Sequence, residues 1–90
     1  MAPPPTKGDA VEICFFCSDL HDGAVRAMNL LRRVDLPILS MAGDPSDGRY
    51  RIRLVVETPD GELVERVARQ IGQMVDIDQV ETKTGDRRAA

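Results

Sequence analysis

Aromatic side chains are scarce in this chain: one Tyr, two Phe and no Trp among ninety residues. Base-stacking platforms need such rings, so that mode of nucleic-acid recognition is excluded. A net charge of −3 at neutral pH also removes the basic footprint that phosphate demands. Two cysteines are too few for a disulfide framework and suit a reduced, cytoplasmic setting. There is one histidine, His21, no serine in a nucleophile-elbow pattern and no Gly-rich phosphate loop. No catalytic set and no cofactor are therefore expected. No apolar stretch approaches the ~20 residues of a membrane span. Residues 1–10 lack the apolar segment of a secretory leader, so neither a membrane nor an export route is expected.

What is present is an ordinary globular balance, 42% hydrophobic and 30% charged, at the length of one domain. A chain of this size hides only about 60% of its surface on folding, so its core has little margin and a partner subunit would help it. The basic residues are ten Arg and only two Lys, set against fifteen Asp and Glu. Arg favours bidentate pairing with carboxylates, which points to surface ion pairs.

Residues 1–9 are Pro-rich and 84–90 are polar and aperiodic; both read as tails around a folded unit at 10–83. Val11 to Cys17 is β-branched and aromatic and too short for a helix, hence a buried strand. Ser18 to Asp22 supplies turn and capping residues, with a helix expected from about Gly23. Ala24, Ala27, Met28, Leu31 and Val34 then fall on one helical face, and Pro37 forbids continuation. Ile38 to Ala42 reads as a second strand and Gly43 to Gly48 as a hairpin loop. From Arg49 to Glu57, Tyr50, Ile52, Leu54 and Val56 alternate with Arg51, Arg53, Val55 and Glu57. That is a strand with one covered and one open face. Thr58 or Asp60 can cap a second helix with Leu63, Val64, Val67, Ala68, Ile71 and Met74 as its stripe. Asp76 to Thr82, with Ile77 and Val80, closes the series.

The order β-α-β-β-α-β predicts a ferredoxin-like α+β sandwich: a four-stranded antiparallel sheet with both helices on one face. Arg51, Arg53 and Val55 are expected on the open face. Cys14-Phe15-Phe16-Cys17, at the end of the first strand, resembles the two-thiolate grip of copper-chaperone domains. In a strand, however, residues three apart point to opposite faces. The competing reading is two small buried hydrophobes, with no metal bound.

The whole layout resembles an ACT domain. Within that group it resembles the small regulatory subunit of acetolactate synthase, in its short form with a single ACT domain. The resemblance spans about Val11 to Thr82. Its strongest part runs from Tyr50 to Val80, through Val64-Glu65-Arg66-Val67-Ala68-Arg69-Gln70-Ile71 and Met74-Val75-Asp76-Ile77. Leu30-Leu31-Arg32-Arg33 followed by Pro37-Ile38-Leu39-Ser40-Met41 matches a second stretch of the family pattern. The resemblance implies a non-catalytic subunit, paired side by side with a second copy. It would bind and raise the activity of a large, thiamine-diphosphate-dependent catalytic subunit in branched-chain amino-acid biosynthesis. It also implies a branched-chain amino-acid effector near Asp19, Leu20, His21, Asp22, Gly23, Pro37 and Ile38. Gly23 matches the glycine of the family's N-x-x-G loop, while Leu20 or Asp19 stands for its Asn. Val34-Asp35 replaces an R-G, and Pro37 replaces a second Asn. Arg26, Arg32, Arg51, Arg53 and Val55 are the expected docking residues for the catalytic partner. A soft-metal chaperone and a stand-alone amino-acid sensor stay open as alternatives.

Overall fold

The computed structural model describes residues 9–84. The expected tails lie outside the described residues, except that the backbones of Asp9 and Thr84 are taken into strands. The elements are β1 (Asp9–Cys17), α1 (Leu20–Arg33), β2 (Ile38–Ser46), β3 (Arg49–Thr58), α2 (Gly61–Gly72) and β4 (Asp78–Thr84). The strands form one antiparallel sheet in the order β2-β3-β1-β4. This is the expected ferredoxin-like α+β sandwich. Among the described residues, no helix is long and apolar enough to cross a membrane.

Strand alternation decides which face is covered. Ile13, Phe15 and Cys17 of β1 and Leu54 and Val56 of β3 are fully buried, with Ile52 almost so. They pack in one cluster with Ala27, Leu30 and Leu31 of α1 and Val64, Val67 and Ile71 of α2. Both helices therefore cover the same face. Each large apolar side chain so buried contributes about 1.5–3 kcal/mol. The other face carries Glu12, Cys14 and Phe16 of β1 and Arg51, Arg53 and Val55 of β3, as their register requires.

Several boundaries differ from the sequence reading, and three of them have a clear local cause. Helix α1 starts at Leu20, not Gly23, because the Asp19 carboxylate accepts from Asp22 N at 3.1 Å and caps the helix early. Strand β2 continues through Gly43, Asp44 and Pro45 to Ser46, where a loop was expected. Pro45 has no N–H to give, and an edge strand needs none on its outer side. The reversal is a two-residue turn, with Asp47 (φ 50°) and Gly48 (φ 79°) both left-handed, as a type I′ hairpin requires. Strand β4 begins at Asp78, two residues late, because Asp76 (φ 72°) sits in a turn and Gln79 (φ 53°) in a bulge.

Asp35 also departs from the usual backbone, at φ 63°. Leu36 N donates to Leu31 O at 2.9 Å and Asp35 N to Arg32 O at 3.1 Å. That is a Schellman closure with Asp where glycine normally sits. The left-handed region costs a side chain about 1–2 kcal/mol, partly offset by the larger unfolded-state entropy of glycine. Asp35→Gly should therefore raise stability by about 0.5–1 kcal/mol. Urea unfolding midpoints check this; an unchanged or lower midpoint contradicts it.

Candidate functional site

The seven residues expected around an effector do not form one site. Asp19 is spent on the α1 cap. Asp22 pairs with Arg26 at 3.1 Å, one helical turn on. Gly23 is buried inside α1, and a Cβ there would stand 2.7 Å from Cys17 Sγ. Its lack of a side chain lets the first turn of α1 lie on β1. It does not open a loop for a ligand.

The remaining four line the seam between α1 and the edge strand β2. Leu20 and His21 border a cleft of ≈ 400 Å³ with Ala24, Met41, Ala42 and Gly43. Pro37 and Ile38 border a second, of ≈ 360 Å³, with Met28, Leu31, Arg32 and Leu36. The seam is mostly apolar, and Met28 and Met41 are exposed along it (37% and 41%). Gly43 sets the depth at one end: a Cβ there would come 2.6 Å from Leu20 Cδ1. Met41 and Gly43 were missed from sequence because Gly43 was read as loop and β2 was cut short beside it.

The expected docking residues also separate. Arg51, Arg53 and Val55 lie on the open sheet face, half-buried, whereas Arg26 and Arg32 belong to α1 on the other layer. Arg26 is engaged, donating to Val75 O at 2.7 Å as well as pairing with Asp22. Arg53 pairs with Asp44 across the β2–β3 ladder at 3.6 Å.

The two cysteines fall on opposite faces, Cys17 in the helix-covered core and Cys14 under Arg51 on the open side. They cannot hold one ion together. Burial, followed by the charge of Asp76, pushes the Cys17 thiol up from its ordinary pKa. Burial, followed by the bond to Glu12, does the same for Cys14, whose Sγ donates to Glu12 Oε2 at 3.4 Å. The thiolate form that metal or nucleophilic chemistry needs is disfavoured at both. Among the described residues, no group of three His, Cys, Asp or Glu side chains is placed to hold a metal ion.

A polar cluster that the sequence did not reveal centres on Asp76. Ser18 donates its N–H to Asp76 Oδ2 at 2.8 Å and its hydroxyl to Oδ1 at 2.7 Å. Arg49 Nη2 donates to Asp76 O at 3.2 Å and lies 3.2 Å from Asp78 Oδ2. One carboxylate thus ties the β1–α1 junction, the α2–β4 turn and the start of β3. The Ser18 bonds, then the Arg49 charge, hold the Asp76 carboxyl below the usual carboxylate range. Its acceptors are occupied, so its chemistry is structural.

Two predictions follow from these contacts. Gly23→Ala gains up to about 1 kcal/mol of helix propensity but overpacks Cys17, a cost of about 1–3 kcal/mol. It should destabilise the wild type and cease to do so in a Cys17→Ala background; unfolding of the double-mutant cycle checks this. The lowered Asp76 pKa means that its stabilisation is present above the unfolded-state value, about 4, and is lost as pH falls through the lower folded value. Asp76→Asn should therefore melt lower than wild type at pH 7, with the gap closing as the pH drops below about 4. A gap independent of pH would contradict it.

No protein-family model and no curated protein matches the chain. Solved structures do. The ACT domain from GTP pyrophosphokinase of Chlorobium tepidum superposes with a TM-score of 0.71 at 12% identity, covering 86% of this chain and 100% of that one. The C-terminal domain of the MgtC protein from Mycobacterium tuberculosis gives 0.78 at 13% identity, with coverages of 98% and 99%. An ACT domain protein from Streptococcus pneumoniae gives 0.65 at 14%, with coverages of 87% and 91%. At such identities the likeness is one of fold: this chain has the βαββαβ architecture that ACT domains also have.

Proposed function

We propose that this chain is a non-catalytic regulatory domain of the ACT type. More narrowly, we read it as the small subunit that binds and activates a thiamine-diphosphate-dependent acetolactate synthase in the cytoplasm. The observation that carries the reading is the apolar α1–β2 seam. There a fold shared with ACT domains leaves Met28 and Met41 exposed beside two clefts. The strand and helix from Tyr50 to Val80, which carry the resemblance to the acetolactate synthase subunits, support the narrower part. Exposed apolar side chains next to an edge strand favour association with another chain.

Amino-acid feedback takes second place in this reading. A free amino acid would bring its carboxylate to the N-terminus of α1, as anions do at helix starts. Here the Asp19 and Asp22 carboxylates already stand there, and Asp19 takes the Asp22 N–H. Two like charges work against a third.

The test is co-purification of the tagged full chain with its host's proteins at low salt, followed by an activity assay. Recovery of a thiamine-diphosphate synthase large subunit, with faster acetolactate formation when the chain is added, is the expected result. Failure of both removes the acetolactate assignment. Valine, leucine or isoleucine should leave the melting temperature unchanged. A ligand at 100 times its Kd would add about 2.7 kcal/mol, so a clear upward shift would make amino-acid sensing the main function instead.

A further inference from the structure

The helix-free face of the sheet carries charge in a pattern that the seam does not explain. Along β3, Arg49, Arg51 and Arg53 occupy one end of this face, and Val55 and Glu57 the other. Arg49 is paired with Asp78 and Arg53 with Asp44. Arg51 has no carboxylate within ion-pair distance among the described residues; its Nη2 reaches only Cys14 Sγ, at 3.6 Å. Glu57, six residues further along the same strand and half-buried, forms no ion pair among the described residues either. The face is therefore polarised along the strands, with an unspent cation at one end and an unspent carboxylate at the other. The middle is small and weakly polar: Cys14 is 4% exposed, and Val55 and Ala42 are half-buried.

We propose that this face docks sheet to sheet against a second copy of the chain, across a two-fold axis perpendicular to the strands at the level of Leu54. Such an axis keeps β3 over its copy and reverses its direction. Arg51 then faces Glu57 of the second copy, and Glu57 faces Arg51. The β1 register sets Glu81 level with Arg53 and Lys83 level with Val55. The same axis therefore also lays Glu81 over Lys83 of the second copy. Both pairings are between opposite charges, and each occurs twice, as an isologous interface requires. Sheets stack about 10 Å apart, a gap that facing Arg and Glu side chains span.

Charge balance selects this occupant over a polyanion. Arg49, Arg51, Arg53 and Lys83 are basic, but each of the four strands also brings a carboxylate to the face. An acidic partner would meet repulsion over most of it. A copy in reversed register meets complementarity. The contact is separate from the side-by-side pairing that the ACT reading implies, and the two are compatible.

Sedimentation of the full chain over a range of concentrations tests the proposal, with Arg51→Glu, Glu57→Arg and the double reversal. Each single reversal places two like-charge pairs in the interface and should weaken association at least tenfold. The double reversal should restore it to within about threefold of wild type. Met28→Lys, on α1 in the other layer, should leave this step unchanged. Circular dichroism checks folding. Should either reversal fail to fold, Glu81→Lys, Lys83→Glu and their combination read the same axis from exposed positions. A wild type that stays monomeric at high concentration overturns the proposal. So does an association indifferent to all the reversals, or one lost only in Met28→Lys.

Discussion

Strand β1 is the constraint on which the rest of the structure depends. It is a central strand of the sheet, paired from Asp9↔Thr58 to Cys17↔Tyr50 with β3 and from Val11↔Thr84 to Phe16↔Asp78 with β4. Its side chains alternate strictly between the core and the open face, so a slip by one residue would exchange Phe15 for Phe16 and Cys17 for a polar neighbour. That alternation also separates Cys14 from Cys17. What looks like a metal-binding spacing in a string of letters becomes, in a strand, one buried thiol in each of two environments. The chemistry of the motif is decided by backbone geometry before any question of sulfur reactivity arises.

The seam between α1 and β2 depends on two missing side chains. At Gly23 the helix approaches Cys17, and at Gly43 the edge strand approaches Leu20, in both cases closer than a Cβ allows. The first turn of α1 is thereby pressed onto the sheet near the end of β1. The Asp76 cluster holds the same end from the other side, through Ser18, while Arg26 ties α1 to Val75 O. Any movement of α1 that widened the neighbouring cleft would have to stretch these bonds. These bonds join the α1 end of the seam to the α2–β4 turn.

Elements whose burial is local were legible in the sequence, and those fixed by tertiary contact were not. The alternation of Tyr50, Ile52, Leu54 and Val56 and the stripe of Val64, Val67 and Ile71 determine β3 and α2 almost residue by residue, because each pattern reports its own covered face. The cap of α2 was readable as Thr58 or Asp60, and the structure chooses Asp60, whose carboxylate bonds Glu62 N and Leu63 N within one turn. Strand β2 hides its length because its residues are mostly exposed at an edge and include Gly43 and Pro45, which propensity assigns to loops. The turn at Asp47-Gly48 was contained in the expected loop but not its tightness. Ser18 and Asp76, 58 residues apart, had no sequence signal to connect them. The candidate site suffered most, since a cleft between a helix and an edge strand needs both boundaries right at once.

Arginine is the thread between the chain's composition and its surface. With ten Arg and two Lys, the chain places Arg49 and Arg53 where their guanidinium groups meet carboxylates across strands. At exposures of 36% and 42% these pairs contribute little to stability, about 0–1 kcal/mol each, because water screens them and ordering both side chains costs entropy. They fix which charges are spent and which are left over. Asp44 stands opposite Arg51 across the β2–β3 ladder yet pairs with Arg53 instead. Weak internal ion pairs can thus set the charge pattern a face presents while hardly stabilising the fold that bears them. That is why substitutions on this face should alter association while the core keeps the domain folded.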